Sequence, residues 1–436
     1  MEEEYDVVIL GTGIKQCVLS GLLSVVNDKK VLLVDKNGYY GGDGPTLRLQ
    51  QLFEYFGRLD CDISDYGKFG NWNVDLITKL LMTNGVLFQM LVKTGVAKYI
   101  DFKAISRQYV CKTDEQGVAK VLRRSHKLIS NTGFGADVQN AFGHSVSLTT
   151  GNTREYDHQD RCQPPIEYLS KERRYSYTFM YPFVYPISGL AGIQEGFSRL
   201  TTTHGGRVML QQEYEGVTLG DEGQVTGVIC GGNTIKCKQV VADPSYFPEK
   251  CEKVGQVVRA ICLLRDAIPN TDSSESCEII IPHSQLGREN DINIVCLSSD
   301  HNVCDNDWHV ATVSTTVETD SPEEELDPGI KLLGPVQEKF VFVSDLYEPI
   351  DGGSGYANNG IFVCSGYDAT PHFDTTTKDI ISIYEHITGV PLDFSLLGKI
   401  PEDFQFPKSN YNIIQSTDSD TDSDHDDDEL WWIAIE

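Results

Sequence analysis

The sequence is poor in basic residues. It has 36 Lys and Arg against 64 Asp and Glu in 436 residues, which gives a formal net charge of -28. Such a surface repels the phosphates of nucleic acids and of anionic membranes, so we expect neither nucleic-acid binding nor charge-driven membrane docking. The length and a hydrophobic content of 40% allow about two or three domains with a large core.

Long apolar runs and paired cysteines are also missing. No apolar stretch approaches the ~18–20 residues that cross a bilayer. The 12 cysteines include no C-x-x-C pair, and the histidines lack metal-ligand spacing, so we predict free thiols and no metal site. The first residues, MEEEYDVVIL, are acidic where a targeting segment is basic. We therefore expect a soluble, cytoplasmic protein.

The N-terminal region has the pattern of a dinucleotide-binding βαβ unit. It predicts, in order, a buried strand at 5–10, a turn at Gly11-Thr12-Gly13, a helix at 14–26 and a strand at 30–34. Asp35 follows the second strand, but Gln16 stands where the motif has its third glycine and would crowd a pyrophosphate. We therefore interpret Gly11, Gly13 and Asp35 as vestigial and predict no cofactor, with FAD or NAD binding as the open alternative.

The rest of the chain is first helical and loop-rich and then β-rich. The patterns predict, in chain order, two helical segments at 71–95 split by Asn84-Gly85, loops at 130–165, a helix from about Gly192 to His204, strands between Val208 and Glu318, and a helix at Asp379–Thr388 with Gly389 as C-cap. This alternation predicts a mixed α/β fold.

Candidate chemical groups are few, and we predict no catalytic residue. Cys17 follows the glycine turn and His372 lies in ATPHFDTTT, but we interpret them as packing or structural residues because no nucleophile–base arrangement includes them. The helix that begins near Gly192 would carry Gly192, Glu195 and Arg199 on one face, at i, i+3 and i+7. This face is either a solvated charge pair or a docking surface for another protein.

Several sequence blocks stand in one fixed order. They include DVVILGTGI, VDKNGYYGG, NWNVDLITKLLM, CKQVVADPSYFPEK, KVGQVVRAICLL and YDATPHFDTTTKDIISIYEHITG. Together these blocks resemble the Rab GDP-dissociation inhibitors and, less closely, the Rab escort proteins. The match runs through residue 394, thins in the middle and stops before the acidic end of the sequence. Colinear blocks are far more specific than the glycine motif alone.

The resemblance implies a large FAD-oxidase-like domain of the dinucleotide-binding type, with mixed sheets and a small helical insert. Proteins of this family are not enzymes and hold no cofactor. They bind prenylated Rab GTPases in the GDP-bound state, block nucleotide release and carry the GTPase through the cytosol, while the helical domain holds the geranylgeranyl lipid. We accordingly expect a monomeric Rab GDP-dissociation inhibitor with transient membrane contact. The alternatives are an escort protein for prenylation and an FAD-dependent oxidoreductase.

The resemblance also implies a Rab-binding platform. The family's platform tyrosine, arginine and methionine fall on Tyr40, Arg199 and Met209. Its Glu, Gln and Thr are replaced by Gly192, Glu195 and Arg207. Since Glu195 restores a carboxylate one helical turn from Gly192, we predict a platform with altered Rab affinity or choice, made by Tyr40, Glu195, Arg199, Arg207 and Met209.

The inserted domain is short. The resemblance predicts a discontinuous large domain at 1–121 and 181–408, and an insert at 122–180 that holds about three helices at most, fewer than the family has. The missing helices help to wall the lipid pocket, so we predict weakened lipid binding, since each buried CH₂ contributes roughly 0.8 kcal/mol. An incomplete gene model would leave the same gap, which sequencing the transcript across codons 115–150 distinguishes.

The last part of the sequence is acidic and then apolar. Residues 418–429 read DSDTDSDHDDDE, with eight acids and no Lys or Arg, and 409–436 is predicted to be a disordered, solubilising tail. Its Ser-Asp and Thr-Asp steps resemble acidophilic-kinase sites, and phosphates would deepen the charge. The residues that follow, LWWIAIE at 430–436, could dock on the protein or on a partner.

Overall fold

The computed structural model describes five stretches of the chain, residues 4–59, 61–113, 119–123, 183–350 and 359–398. The predicted insert beyond Arg123 and the acidic tail lie outside the described residues. No helix within these stretches has both the length and the apolar character needed to span a bilayer. The cysteines in these stretches carry free thiols, as predicted.

Nineteen strands form the β-structure of the described residues. In chain order they are β1 (Glu4–Leu10), β2 (Val31–Val34), β3 (Thr46–Leu47), β4 (Val74–Asp75), β5 (Leu81–Met82), β6 (Phe102–Ala104), β7 (Arg107–Thr113), β8 (Ala119–Arg123), β9 (Phe183–Pro186), β10 (Arg207–Met209), β11 (Tyr214–Leu219), β12 (Val225–Cys230), β13 (Asn233–Ala242), β14 (Cys251–Leu264), β15 (Cys277–Ile281), β16 (Ile292–Ser298), β17 (His309–Thr316), β18 (Glu338–Pro349) and β19 (Ile361–Val363). They form two seven-stranded sheets and two small ones.

Six α-helices accompany these strands in the described residues. They are α1 (Ile14–Val26), α2 (Leu49–Tyr55), α3 (Val86–Lys93), α4 (Ala191–Thr203), α5 (Asp327–Leu332) and α6 (Asp374–Thr388). Short 3-10 turns connect them, among them Val96–Tyr99 and Ser299–His301. The predicted C-cap of α6 is confirmed, because Gly389 adopts the left-handed conformation with φ of 74°.

The first large sheet is built around β1. Its order is β10-β2-β1-β13-β12-β11, and β19 pairs with the end of β13. The strands β10, β2, β1, β13 and β19 are parallel, while β11 and β12 form an antiparallel extension. β1 is apolar from Val7 to Leu10 because both faces of this stretch are covered. Val7 and Ile9 face α1, and Val8 and Leu10 face the opposite core cluster.

The second large sheet is antiparallel except for one pair. Its order is β18-β14-β17-β16-β15-β7-β8, and only β15 and β7 run parallel. Residues such as Ile261 and Val295 on one face join the core that holds α1, α4 and α6, and Leu326 and Leu333 near α5 cover the other face. The main core therefore joins one face of each large sheet and contains residues of α1, α2, α3, α4 and α6. This architecture confirms the predicted mixed α/β fold.

The N-terminal predictions are confirmed element by element, whereas the prediction of two helices at 71–95 is half wrong. Only the second segment is helical and forms α3. Residues 72–82 form short strands and turns, because their backbone groups bond to distant parts of the chain. Asn73 N–H donates to Val303 O (3.0 Å), and Leu80 N–H donates to Pro371 O (2.7 Å). These tertiary hydrogen bonds override local helix propensity.

Three buried cations hold the segment at 365–372. The contacts are Lys15 Nζ to Ser365 O and to the Asp379 carboxylate (2.7 Å each), Arg259 to Tyr367 O (2.9 Å) and Asp368 O (2.8 Å), and Lys79 Nζ to the Asp368 carboxylate and Thr370 O (2.6 Å each). Burial lowers the pKa of Lys79 to about 8, although Asp368 opposes this. The cations thereby join α1, β14 and the 72–82 segment to the chain that follows β19.

His301 is a buried histidine that the fold keeps neutral. Its side chain is 0% exposed and lies beside the Tyr185 ring, with 6.4 Å between ring centres. Neither ring nitrogen has a hydrogen-bond partner among the described residues. Burial and, to a smaller extent, the Lys103 ammonium lower the pKa of His301 to about 3, although the Asp300 carboxylate opposes this.

We expect this histidine to destabilise the protein in acid. Since its folded-state pKa of about 3 lies below the unfolded value of about 6.5, the unfolded state binds an extra proton as the pH falls below 6.5. The free energy of unfolding should fall by about 2 kcal/mol between pH 7.5 and pH 5, relative to a His301→Leu variant. Urea denaturation of both proteins across this range isolates the imidazole, because all other groups titrate in both. Parallel curves would contradict the prediction.

Candidate functional site

The carboxyl ends of the parallel strands meet in one row. In register order the row is Met209, Val34, Leu10, Ala242 and Val363, across β10, β2, β1, β13 and β19. The chain leaves the sheet after each of these residues, and the loops carry Gly11, Asp35, Asp243 and Ser365. In open α/β sheets, ligands bind in the crevice at this edge.

Side chains fill the crevice at the glycine turn. A Cβ at Gly13 would lie 2.7 Å from Gln16 Oε1 and 3.3 Å from the Tyr367 hydroxyl, so these side chains occupy the space that a pyrophosphate would need. Gln16 is 1% exposed, and its Nε2 has no hydrogen-bond partner among the described residues. The glutamine that replaces the motif's third glycine therefore obstructs the approach of a dinucleotide.

Charges in the crevice also oppose a dinucleotide. Desolvation and the neighbouring Asp243 carboxylate raise the pKa of Asp43 to about 6, and Asp35 adds to the rise. Asp35, which would bind a ribose hydroxyl, already accepts hydrogen bonds from the Thr12 hydroxyl (2.5 Å) and the Asn37 N–H (2.8 Å). The residues of the crevice do not fit FAD or NAD.

The loop after β2 is attached to the glycine turn and presents Tyr40. Gly41 N–H donates to Thr12 O (3.0 Å), and Gly44 N–H donates to Gly41 O (3.0 Å). Gly41 has φ of 119°, and a Cβ there would lie 2.6 Å from the Cα of Pro45, so the loop requires glycine at this position. The conformation of this turn sets the direction of the Tyr40 side chain.

Tyr40 packs against α4. Its half-buried ring joins the main core, and its hydroxyl lies near the Ser198 side chain of α4. Burial raises the pKa of Tyr40, and the nearby Cys17 and Glu195 side chains add to the rise. The structure therefore brings together Tyr40 and Glu195, which are predicted platform residues 155 positions apart in the sequence.

A buried carboxylate positions the N-terminal end of α4. Asp75 accepts hydrogen bonds from the Leu190 N–H (3.1 Å), from the Thr46 hydroxyl (2.5 Å) and from the Tyr185 hydroxyl. The Thr46 hydroxyl in turn accepts a hydrogen bond from the Ala191 N–H (3.1 Å). Burial raises the pKa of Asp75 to about 6, while these hydrogen bonds lower it. Since negative charge is stabilising at a helix N-terminus, Asp75 both anchors and orients α4.

The outer face of α4 carries charges that the fold does not use. Glu195 and Arg199 are exposed, and neither forms an ion pair within the described stretches. The Arg199 guanidinium lies 4.6 Å from the centre of the Tyr99 ring, which is 66% exposed. We call Tyr40, Tyr99, Gly192, Glu195 and Arg199 the α4 surface. Arginine and tyrosine side chains are enriched in protein-binding hot spots.

Arg207 and Met209 lie on the opposite face of the first sheet. β10, the edge strand, pairs with β2 through Arg207–Leu32 and Met209–Val34. Leu32, Val34 and Met209 belong to the core cluster on the face away from α1, whereas Tyr40 belongs to the cluster on the α1 face. The edge of the first sheet therefore lies between these two predicted platform residues and the α4 surface.

A Gly192→Glu variant is expected to gain stability. The resemblance to the Rab GDP-dissociation inhibitors implies a platform Glu at this position, so the variant is also expected to bind Rab about three- to tenfold more tightly. A Cβ at Gly192 would meet only Ile100 Cγ1, at 3.8 Å, and the first turn of α4 contains no acid. Replacing a helical glycine contributes about 0.5–1 kcal/mol, and the helix dipole about 0.3–1 kcal/mol. Denaturation and Rab titration measure the two effects. A Gly192→Ala control should gain only the first, and equal Rab binding by both variants would contradict the charge effect.

Tyr99 and Asp75 shape the α4 surface although neither is predicted from the sequence. Asp75 had a usable signal, because an acid between Val74 and Leu76 in an apolar run indicates a buried and therefore hydrogen-bonded carboxylate. The sequence carries no comparable signal for Tyr99, because Tyr99 lies 100 positions from the arginine that it contacts.

Known proteins resemble the chain over most of its length. It matches the family model for GDP dissociation inhibitors (GDI) over residues 1–132 and 123–399. It is 38% identical to the Rab GDP dissociation inhibitor beta of Rattus norvegicus, over 92% of this chain and 99% of that protein. A crystal structure of Rab GDI from Plasmodium falciparum, 33% identical, covers 90% of this chain and all of its own, with a TM-score of 0.76.

A distant structure shares the fold alone. The crystal structure of an oxidoreductase from Methanosarcina mazei is 14% identical and covers 87% of this chain, with a TM-score of 0.55. Together with the Plasmodium structure, it confirms the predicted fold class, a mixed α/β architecture of the oxidoreductase type.

The alignment with the rat protein also shows a difference in length. Its 451 positions contain 92% of this chain's 436 residues, or about 401, so about 50 positions of the relative have no counterpart here. The family match and the identity to the rat protein both extend over about nine-tenths of the sequence. The chain belongs to the Rab GDP dissociation inhibitor family.

Proposed function

We propose that the protein binds prenylated Rab GTPases in the GDP-bound state, blocks GDP release and carries them between membranes and the cytosol. It acts as a cytosolic monomer with transient membrane contact and has no catalytic activity of its own. The observation that carries the proposal is the α4 surface, where an anchored helix presents Glu195 and Arg199 beside Tyr40 and Tyr99, and where neither charge has an ion partner among the described residues.

Anchoring of the surface supports tight binding. Asp75 fixes the start of α4, and the Gly41 turn fixes Tyr40, so few side chains have to be ordered when a partner binds. Stronger retention of GDP follows from linkage. A protein that binds the GDP form more tightly than the nucleotide-free form raises the affinity for GDP by the same factor.

We assign the two separated groups of platform residues different roles. Tyr40, Glu195 and Arg199 make the central contact, because they lie together on the α4 surface. Arg207 and Met209 contact the partner from the edge strand β10, around the rim of the first sheet. The substitutions at positions 192, 195 and 207 change which Rab proteins fit this arrangement.

Lipid binding is proposed to be weaker than in the longer relatives. The support is the deficit of about 50 aligned positions relative to the rat protein, together with the sequence prediction that the insert is shortened. Losing contact with about four CH₂ groups of a geranylgeranyl chain would cost roughly 3 kcal/mol, which is more than a hundredfold in affinity.

Extraction of geranylgeranylated Rab·GDP from liposomes tests the function. We expect the protein to remove Rab from the vesicles, but less efficiently than the rat inhibitor at equal concentration. Equal efficiency would contradict the weakened lipid site. Binding to neither prenylated nor unprenylated Rab·GDP would overturn the proposed function, and assembly of unprenylated Rab with a prenyltransferase would favour the escort-protein alternative.

A further inference from the structure

We propose that the acidic segment at 418–429, together with Trp431 and Trp432, docks on the α4 surface of its own chain, at Lys98, Tyr99 and Arg199. The docking rests on the geometry, charge and composition described below. Its consequence, competition with Rab, rests on the proposed function.

The described chain ends beside this surface. Lys93 Nζ, at the end of α3, donates to Phe394 O (3.1 Å), and Leu397 is buried in the main core. A Cβ at Gly398 would lie 3.2 Å from Lys93 O. Tyr99 follows Lys93 by six residues, a span of at most about 20 Å. The chain beyond Gly398 therefore starts within about 30 Å of the Tyr99 ring.

The connecting sequence is long enough to reach the surface. Asp418 is 20 positions after Gly398, and a chain of that length spans at most about 65 Å when fully extended. Attachment makes the docking intramolecular, with an effective concentration in the millimolar range for short linkers. A contact too weak to hold two separate molecules together is therefore sufficient.

The surface offers two cations that have no ion partner among the described residues. Lys98 and Arg199 are exposed, and neither forms an ion pair in the part of the chain that the structure describes. The acids nearest them in sequence, Glu195 and Asp101, only balance these charges. The rest of the protein is strongly acidic, since the 418–429 segment holds only eight of its 28 excess negative charges. An acidic segment is therefore repelled less here than by the surface at large.

Exposed apolar side chains near the exit suit the two tryptophans. Leu396 is 59% exposed and Val390 is 53% exposed, and both lie in the segment that leads to Gly398, while Tyr99 projects from the neighbouring turn. Aromatic pairs contribute about 0.5–1.5 kcal/mol beyond their buried area, and arginine also binds the face of tryptophan. Docking would remove from water the apolar residues LWWIAI that follow the acidic run.

A docked segment would cover Arg199 and so compete with Rab. If about nine-tenths of the molecules are docked, the apparent affinity for Rab falls about tenfold. Binding of a cognate Rab would in turn displace the segment, because the two share one surface. The segment would then act as an internal competitor, so that a Rab must bind the α4 surface more tightly to be bound at a given concentration.

Tryptophan fluorescence tests the docking in the full chain. Trp72 and Trp308 are buried in the core, so subtracting the spectrum of a Trp431→Phe/Trp432→Phe variant isolates the emission of the segment. We expect acrylamide to quench this emission several-fold less in the full chain than in a synthetic peptide of residues 411–436. The Lys98→Glu/Tyr99→Ala variant should restore peptide-like quenching, and the control Lys238→Glu, a charge reversal on β13, should not.

Two fluorescence results would overturn the proposal. Equal quenching in the full chain and the peptide would show that the segment does not dock. Protection that survives Lys98→Glu/Tyr99→Ala would show that it docks elsewhere.

Rab binding tests the consequence separately. A full-length variant with Asp426→Asn, Asp427→Asn, Asp428→Asn, Trp431→Ala and Trp432→Ala should bind prenylated Rab·GDP three- to tenfold more tightly than the unmodified protein. Equal affinities would overturn the competition. Absence of Rab binding by both proteins would overturn the proposed function, while the fluorescence result would still decide the docking.

Discussion

The Lys79→Met variant is expected to lose about 3 kcal/mol of folding free energy. The Lys79 side chain is 1% exposed, and its Nζ lies 2.6 Å from both the Asp368 carboxylate and Thr370 O. Methionine fills the volume but leaves these acceptors without their cation. The loss falls at the lower end for a buried pair, because Asp368 keeps partial contact with water. Urea denaturation at pH 7 measures it.

An exposed pair provides the control for this variant. Lys378 and Asp374 are four residues apart on α6, with 3.2 Å between Nζ and Oδ2, and the lysine side chain is largely exposed. Lys378→Met should change the stability by no more than about 0.5 kcal/mol. Adding Asp368→Asn to Lys79→Met should recover part of the loss, since it removes the uncompensated charge. A loss below about 1 kcal/mol for Lys79→Met would show that the cation does not stabilise the 365–372 segment.

The Arg199→Glu variant is expected to weaken binding of prenylated Rab·GDP about a hundredfold, or about 2.7 kcal/mol. Arg199 is the exposed centre of the α4 surface, and its guanidinium is already held over the Tyr99 ring at 4.6 Å. Charge reversal places a carboxylate one turn from Glu195 and repels whatever acid of the partner the arginine binds. Titration of fluorescently labelled Rab·GDP measures the affinity.

Folding should not respond to this change, because Arg199 makes no ion pair within the described residues. The thermal midpoint of the variant should therefore stay within a few degrees of the unmodified protein, since the lost cation–π contact costs about 0.5–1 kcal/mol and the new repulsion with Glu195 about 0.2–0.5 kcal/mol. Lys238→Glu makes the same change in charge on β13, away from α4, and should bind Rab normally. Unchanged Rab affinity in Arg199→Glu would remove this residue from the interface.

Elements with a single local pattern were predictable from the sequence. The bounds of α1 agree with the predicted helix at 14–26, because its apolar residues recur at helical spacing and a glycine turn precedes them. The helix α4 was also predictable, with Ile193 and Phe197 buried and Glu195 and Arg199 exposed. The helix α6 was predicted to begin at Asp379, but it begins at Asp374. The residues before Asp379 are polar and so gave no apolar pattern, although Thr376 and Thr377 are buried.

Elements that depend on distant partners were not predictable. The strand β18 has mixed polar and apolar residues and is extended because β14 pairs with it from Cys251–Pro349 to Leu263–Glu338. The 72–82 segment looks helical in isolation, yet its backbone bonds to Val303 and Pro371. The two backbone hydrogen bonds of the 72–82 segment join residues more than 200 positions apart, and no local pattern encodes them.

The candidate site shows the same division. The family resemblance predicts Tyr40, Glu195 and Arg199 as platform residues, and the structure brings these three to one surface, while their role in binding stays a prediction. The position of Arg207 and Met209 around the sheet edge depends on strand order, which the sequence does not encode. The predicted domain boundaries and the shortened insert stay predictions, because the insert lies outside the described residues.

The rate of GDP release from geranylgeranylated Rab tests the account most directly. The Rab is loaded with fluorescent GDP and chased with excess unlabelled nucleotide, in the presence of saturating protein. We predict that the unmodified protein slows release at least tenfold, and that the Arg199→Glu variant at the same concentration has little effect. Release at the same rate with and without the unmodified protein would contradict the central claim that the α4 surface holds Rab in its GDP-bound state.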